Sequence, residues 1–379
     1  MEHRFWFHPE QPGNKRILFH AINHIGLGHL NRSMAVAEWL KLGIDDVQFL
    51  FLIEGAKELI EPTEFQWIEV PGQQNENELE YCGQITRNVL NHFRPNLIVH
   101  DTLIRKPIYT AAKDAGVKQA LVGRVGGILR EQFQQNPSLM SEIELLLLPH
   151  YRQELTASDD DLFTRSVRKS VYTGPIIRRQ GQVSGYDLRQ RLGLTAEQKV
   201  ILITFGGGGW TLANELLSSV LAARAEILAT YPQTRLVIIT GPHFSGTLPE
   251  KDEFVCYVSK FEALITDYLN MASIVVCMAG YNTVNEIAAT GIPAICVPPS
   301  LEADEFVGRP ESYMRRFPHM VQGSTDSALL ARQICEALSQ EQDLTAVQAF
   351  WQQARTAAQT MVDAIKDLLE ETRSEKQVE

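Results

Sequence analysis

The sequence predicts an α/β protein of two domains, each built on a parallel sheet covered by helices. Short aliphatic runs alternate with longer segments of helical periodicity along the chain, which is typical of parallel α/β architecture. Its 379 residues exceed what one hydrophobic core usually serves and suit two. The pattern lapses once, into Gly, Pro and basic residues at 171–193. We therefore place the boundary near Arg178, with domains at residues 1–177 and 178–379.

Both halves begin with a strand that runs into a Gly-rich loop. The strands predicted in the first domain are residues 16–22, 47–53, 96–101, 119–123 and 144–149. Those predicted in the second domain are residues 199–204, 235–241, 253–259, 273–280 and 293–299. The segment 344–373 carries apolar residues at helical spacing, which predicts a long closing helix.

Composition excludes several classes of protein. A formal net charge of −11 argues against nucleic acid as a partner, because binding to the phosphate backbone depends on clustered Lys and Arg. No run approaches the roughly 18 apolar residues that span a bilayer. The 5 cysteines are widely spaced and include no CxxC pair, which argues against a disulfide framework or a metal site. We expect a cytoplasmic protein without a transmembrane segment.

The stretch "HIGLGHLNR", residues 24–32, lies between the first strand and a helix. It lacks the third glycine of G-x-G-x-x-G, so a dinucleotide site is disfavoured, although Glu54 stands where the ribose-binding acid would be. His29 lies at the mouth of the helix, where the positive helix end favours the neutral imidazole that a general base needs. Arg32 is placed to hold an anionic group, with Gly28 beside it. The alternative is a tight turn in which His29 only caps the helix.

The loop "FGGGGW", residues 205–210, follows the first strand of the second domain. Successive glycines let the backbone approach a ligand closely, and a helix N-terminus binds phosphate oxygens. Because the Lys-Ser/Thr pair of a P-loop is missing, we expect a diphosphate held by backbone at Gly206, Gly207, Gly208 and Gly209.

Two further strand ends carry candidate side chains. In "MAGYNTVNEIAATGIP", residues 278–293, Thr283 and Glu286 fit a capping box, and Gly291 marks the helix end. In the functional alternative, Glu286 accepts hydrogen bonds from the ribose hydroxyls of a nucleotide. Asp101 ends a strand, where it would orient His29, bind an acceptor hydroxyl, or simply cap the next segment. The acidic run at 158–161 is predicted as a solvated loop.

Taken together, these loops resemble the nucleotide-sugar glycosyltransferases of GT-B fold, among them the transferase that adds N-acetylglucosamine to the lipid-linked peptidoglycan precursor. The resemblance is carried by "GLGHLNR", "YTGPIIRR", "FGGGG", "TGP" and "AGYNTVNEIAATGIPAICVP". It implies two Rossmann-like domains that face a cleft, with the acceptor on the first domain and the nucleotide sugar on the second.

The resemblance also implies roles for individual residues. His29, or less strongly Asp101, would activate the acceptor, with Gly28 and Arg32 near phosphate or acceptor. The donor would be bound by the residues that match the family's second-domain loops, namely Gly206 to Gly209, Gly280, Asn282, Thr283, Glu286, Asp304 and Glu305. The segment at 298–317 contains no glutamine, where the family has an acid or Gln pair that grips the sugar. The identity of the sugar is therefore open.

The implied reaction is an inverting, metal-independent transfer from a UDP-sugar co-substrate, with no cofactor. The acceptor, either a small molecule or lipid-linked, stays open, as do peripheral membrane contact and oligomeric state. A second interpretation is a UDP-sugar hydrolase of nonulosonic acid synthesis, which shares a G-x-G-H-x-x-R loop like that at 26–32. A third is a non-catalytic protein that binds nucleotide sugars.

Overall fold

The computed structural model describes residues 15–23, 28–55, 65–72, 75–179, 181, 183–241, 243–258, 263–298 and 317–375. Within these residues the chain forms one 7-stranded and one 6-stranded sheet, and every strand pairing is parallel. This is the predicted architecture.

The first sheet has the strand order β3-β2-β1-β4-β5-β6-β7. Its strands are β1 Lys15–Asn23, β2 Val47–Gly55, β3 Gln66–Val70, β4 Leu97–Asp101, β5 Lys118–Val122, β6 Leu145–Leu148 and β7 Ser170–Tyr172. The helices between them are α1 Gly28–Gly43, α2 Glu76–Phe93, α3 Lys106–Asp114, α4 Gly127–Gln135, α5 Pro137–Met140 and α6 Ala157–Arg165.

The second sheet has the strand order β10-β9-β8-β11-β12-β13. Its strands are β8 Lys199–Thr204, β9 Thr234–Ile239, β10 Val255–Tyr257, β11 Ile274–Met278, β12 Ala294–Val297 and β13 Met320–Gln322. The helices are α7 Gly185–Arg191, α8 Thr211–Ala222, α9 Arg224–Thr230, α10 Ile265–Met271, α11 Tyr281–Thr290, α12 Ser327–Leu338 and α13 Leu344–Glu375.

The closing helix α13 joins the two cores. Near its start, Phe350 and Ala354 pack into the core of the second domain. About three turns later, Met361 and Ile365 pack against the first sheet together with α1. The Trp351 indole donates a hydrogen bond to the Ala289 carbonyl at 2.8 Å. The apolar stripe of one helix is therefore buried partly in each domain.

The structure corrects three local predictions. The stretch predicted as linker, 171–193, contains the end of β7 and all of α7. The acidic run at 158–161 is not a loop but lies in α6, whose N-terminus is capped by Thr156, which accepts a hydrogen bond from the Asp159 N–H at 3.1 Å. Three strands escape the pattern, β3, β7 and β13, because they are short, lie at or next to sheet edges and have few fully buried positions.

Among the described residues, no helix combines the length and apolar character needed to cross a membrane.

Candidate active site

Each sheet reverses its strand order at one place, and the candidate residues follow the strands that meet there. In the first sheet β1 lies between β2 and β4, and in the second sheet β8 lies between β9 and β11. Ligands of doubly wound sheets bind beyond the carboxyl ends of the strands at such a switch point. The loops after β1 and β4, and those after β8 and β11, are therefore the places to look for a site.

At the first switch point a histidine, a carboxylate and a guanidinium come together. His29 is the second residue of α1, and its Nδ1 lies 2.7 Å from Oδ1 of Asp101, the last residue of β4. Arg32, one turn along α1, donates from Nε to the other carboxylate oxygen at 2.8 Å. A terminal nitrogen of Arg32 also donates to the Thr102 hydroxyl at 2.9 Å.

Two side chains of this cluster are buried, while the imidazole is accessible. The side chains of Asp101 and Arg32 are 1% and 2% exposed, whereas that of His29 is 25% exposed. Burial alone raises the pKa of Asp101, but the charge of Arg32 and the hydrogen bond with His29 outweigh it and lower that pKa below its usual range. An ionised Asp101 accepts the Nδ1 proton of His29, so the lone pair of the neutral ring lies on Nε2.

Thr102 adds local strain beside Asp101. Its backbone has a φ of 58°, which is an outlier for a β-branched residue. The conformation is held by a hydrogen bond from the Thr102 N–H to the Val122 carbonyl at 2.8 Å and by the hydroxyl contact with Arg32. Sequence reasoning missed Thr102, because no pattern of neighbouring residues signals a strained strand end.

Two residues predicted to meet a ligand are bound by partners within the chain. Arg32 is predicted to hold an anionic group of a ligand, but in the structure its guanidinium is buried against the Asp101 carboxylate. The guanidinium holds the Asp101 carboxylate, and the contact of Arg32 with a phosphate or the acceptor stays a prediction. Glu54, the stand-in for a ribose-binding acid, is 0% exposed and is bound by Arg105 and His20. It faces its own partners and not a nucleotide.

At the second switch point the Gly-rich loop is seated on the loop after β9. Gly206 and Gly208 have φ of 58° and 78°. A Cβ on Gly208 would lie 2.3 Å from the Thr240 carbonyl oxygen, whereas one on Gly206 would meet nothing within 4 Å. The His243 N–H donates to the Gly207 carbonyl at 2.9 Å. Gly208 is thus required by packing, whereas Gly206 and Gly209 are exposed at the surface.

This difference gives a matched pair of substitutions. Gly206→Ala is expected to lower the free energy of unfolding by about 1–2 kcal/mol, the cost of a left-handed backbone for an L-residue. Gly208→Ala should cost clearly more, because it adds a backbone clash to the same strain. Denaturant titration of both variants measures the difference. Equal losses would show that the contact with Thr240 does not constrain the loop.

Helix α11 begins earlier than the sequence predicts. Its N-cap is Gly280, without a side-chain cap, and it ends at Gly291 with a φ of 65°, as predicted. The predicted capping box is wrong, because Thr283 is the third residue of the helix and Glu286 lies in its second turn. Glu286 is 6% exposed. The capping explanation for this acid is therefore removed, while its predicted role toward ribose stays a prediction.

The two switch points face each other across a short distance. The Asn282 side-chain amide donates to the Gly28 carbonyl at 2.9 Å, which joins the start of α11 to the start of α1. Asn282 is predicted as a donor contact and Gly28 as a phosphate or acceptor contact, and the structure places each against the other. Asp304, Glu305 and Gly26 lie outside the described residues.

Comparison with known proteins identifies similar sequences and folds. Residues 200–305 match the glycosyltransferase family 28 C-terminal domain. The chain is 22% identical to the UDP-N-acetylglucosamine–N-acetylmuramyl-(pentapeptide) pyrophosphoryl-undecaprenol N-acetylglucosamine transferase of Acetivibrio thermocellus, over 72% of this chain and 75% of that protein. It is 24% identical to the enzyme of the same name from Caldanaerobacter subterraneus, over 72% and 76%.

Solved structures share the fold. The UDP complex of Arabidopsis thaliana UGT89C1 superposes with a TM-score of 0.64 at 13% identity, covering 93% of this chain and 99% of that one. The glycotransferase of kitacinnamycin superposes with a TM-score of 0.61 at 16% identity, covering 95% and 100%. These findings confirm the resemblance, the GT-B fold and the predicted enzyme class.

Proposed function

We propose that this glycosyltransferase of GT-B fold moves a sugar from a UDP-sugar to an acceptor hydroxyl, with His29 as the general base. The observation that carries the proposal is the His29–Asp101–Arg32 cluster. A buried carboxylate orients an accessible imidazole at the switch point of one domain, and the start of α11 from the other domain lies against it.

The proposed chemistry is a single displacement. Nε2 of His29 takes the proton of the acceptor hydroxyl while the hydroxyl oxygen attacks the anomeric carbon. The bond from that carbon to the diphosphate oxygen breaks from the opposite side, so the configuration inverts and UDP leaves. Backbone N–H groups at the starts of α8 and α11 stabilise the departing charge. Asp101 stabilises the imidazolium that forms, and Arg32 keeps Asp101 ionised.

The donor side of the proposal uses the second domain. The diphosphate is contacted by Gly206 to Gly209, Gly280 and Thr283. Asn282 lies between the loops. Glu286 accepts hydrogen bonds from the ribose hydroxyls. The names of the two bacterial relatives point to N-acetylglucosamine as the sugar. Asp304 and Glu305 stay predicted sugar contacts. The acceptor is a small molecule or a lipid-linked one, and the cytoplasmic location stays a prediction.

The role of Glu286 is tested by its replacement. Glu286→Ala removes a charged acceptor of hydrogen bonds, which is worth about 1.5–3 kcal/mol, so UDP affinity should fall about 10- to 100-fold by calorimetry. Asp267→Asn is the control, since Asp267 is a buried acid of the same domain that accepts from the Leu264 N–H. If Glu286 only stabilises the fold, its variant will melt at lower temperature with unchanged UDP affinity.

Metal independence is tested by chelation. Because the proposal assigns the diphosphate to backbone N–H groups, UDP release from the donor should proceed at the same rate in EDTA as in buffer with magnesium. The rate is measured after exhaustive dialysis against the chelator. Loss of turnover that magnesium or manganese restores would overturn the backbone account of diphosphate binding.

Hydrolysis is the second candidate, since a base held by Asp101 would activate water as readily as an alcohol. The spacing His29-x-x-Arg32 supports it, because it matches the G-x-G-H-x-x-R loop of the hydrolases. The products decide between the two reactions, since hydrolysis releases UDP and free sugar without any acceptor.

A further inference from the structure

We infer that Tyr281 is a positioning residue, which couples the donor-side helix α11 to the His29–Asp101–Arg32 cluster. The inference rests on the proposed function of that cluster and adds a residue to which no motif assigns a role. Tyr281 is the first residue of α11, directly after Gly280, yet its side chain contacts the first domain.

The Tyr281 ring lies against the His29–Asp101–Arg32 cluster. The guanidinium carbon of Arg32 is 5.9 Å from the ring centroid, and Tyr281 is only 5% exposed. The guanidinium is therefore bounded by the Asp101 carboxylate and by an aromatic ring from the second domain. A ring in this place keeps water from the ion pair, which strengthens the attraction between the two charges.

The Tyr281 hydroxyl fixes the ring to the first domain. It donates a hydrogen bond to the Pro149 carbonyl, directly after β6. The neighbouring His150 ring packs on Tyr281 with centroids 5.3 Å apart. His150 is itself held, since its Nε2 accepts a hydrogen bond from the Val125 N–H at 3.1 Å. The Tyr281 side chain is therefore bound to the first domain by a hydrogen bond and a ring contact, and the His150 ring that it contacts is itself held by a hydrogen bond.

Asn282 supplies the second point of attachment. Its amide holds the carbonyl of Gly28 at 2.9 Å, and Gly28 immediately precedes His29. Asn282 thus contacts the backbone immediately before His29, and the preceding residue, Tyr281, contacts the Arg32 guanidinium that holds Asp101. Gly280 and Thr283, on either side of them in the chain, are the residues of α11 and its N-cap that are assigned to the diphosphate. Loss of the two contacts made by Tyr281 and Asn282 would therefore remove the support of the base, while Gly280 and Thr283 keep their positions within the helix.

The consequence is that the base is correctly held only when α11 is docked. Loss of the docking should affect the chemical step more than donor affinity, because the residues assigned to the donor stay in place on α11. Misplacement of a catalytic group by about 1 Å costs on the order of 100-fold in rate.

The test compares Tyr281→Phe, which removes only the hydroxyl, with Tyr281→Ala, which also removes the ring. We expect kcat for UDP release to fall about 10- to 100-fold in Tyr281→Ala, with a smaller loss in Tyr281→Phe, while the Kd for UDP stays within about twofold. Tyr268→Phe and Tyr268→Ala are the matched controls, since Tyr268 is a buried tyrosine of α10, 2% exposed, and they should keep kcat.

A readout without turnover separates positioning from general destabilisation. The Nδ1 proton of His29, assigned by its loss in His29→Ala, should exchange faster with solvent in NMR spectra of Tyr281→Ala and keep its wild-type rate in Tyr268→Ala. An unchanged exchange rate with unchanged kcat would overturn the inference. Loss of UDP affinity with kcat retained would also overturn it, since Tyr281 would then serve the donor.

Failure of the proposed function gives a different result. If His29→Ala keeps full turnover, His29 is not the base, and the proposed function falls. If His29→Ala is inactive while Tyr281→Ala turns over normally, only the coupling through Tyr281 is contradicted.

Discussion

Replacing His29 by alanine is expected to lower turnover by about 10²- to 10⁴-fold, the usual worth of a general base, with UDP affinity changed by less than about twofold. The imidazole is held by Asp101 on the first domain, whereas the residues assigned to UDP lie on the second domain. Its loss should therefore affect the chemical step and spare nucleotide binding. Initial rates of UDP release and calorimetric titration with UDP measure the two quantities.

A second histidine serves as the control for this experiment. His92 is exposed on α2, where its Nδ1 lies 2.7 Å from the Asn88 carbonyl oxygen of the same helix. His92→Ala should therefore keep wild-type turnover and affinity. A His29 variant with full turnover would remove the imidazole from the mechanism. A variant that loses UDP affinity in proportion to its rate would assign His29 to the donor phosphates.

Replacing Asp101 by asparagine is expected to damage both catalysis and stability. Without the carboxylate, the buried Arg32 guanidinium loses its counter-ion, and breaking a buried pair on one side costs about 3–5 kcal/mol. The neutral amide also cannot offer a charged acceptor to the Nδ1 proton of His29. We therefore expect the rate to fall at least about 10²-fold. Denaturant unfolding and UDP release measure these losses.

The pH dependence of this stability loss has a defined sign. The pKa of Asp101 is lowered in the folded protein, so its ionised form stabilises the fold above the pKa of the unfolded chain, about 3.9. The difference in unfolding free energy between wild type and Asp101→Asn should persist at neutral pH. It should shrink as the pH falls below the pKa of the unfolded chain and through the lower folded pKa. A difference that disappears between pH 6 and 7 would contradict this assignment.

Asp159→Asn provides the matched control for Asp101→Asn. Asp159 is also paired with an arginine, Arg130, at 2.7 Å, but that arginine side chain is 28% exposed. Breaking this pair should cost less stability, because water reaches the guanidinium that is left behind. It should leave turnover unchanged, since α6 follows β6, and β5 separates β6 from the β4 strand that carries Asp101. Equal effects of the two substitutions would show that Asp101 has no special role.

Local patterns carry most of the fold, because parallel strands that are buried on both faces stand out as aliphatic runs. β4 and β11 are buried at every position, and both are predicted from such runs. β3 has only one fully buried residue, while β7 and β13 have three residues each. A run this short and this exposed does not differ from a loop in its hydropathy.

The site is only partly visible in the sequence. The spacing of His29 and Arg32 places both on one helix, and Asp101 is recognisable as an acid at a strand end. Their meeting depends on β1 lying beside β4 in the sheet, which no local pattern states. The same holds for Gly208 against Thr240 and for Tyr281 against Pro149, since each contact joins segments that are distant in the chain.

The most direct test of the account follows the sugar itself. The protein is incubated with UDP-[13C]N-acetylglucosamine and a bacterial extract of small molecules and lipids, and mass spectrometry locates the label. We predict that the label enters a glycoside in an amount equal to the UDP released, and that His29→Ala forms no such product. Label found only in free N-acetylglucosamine, or only in intact donor, would contradict transfer from this UDP-sugar.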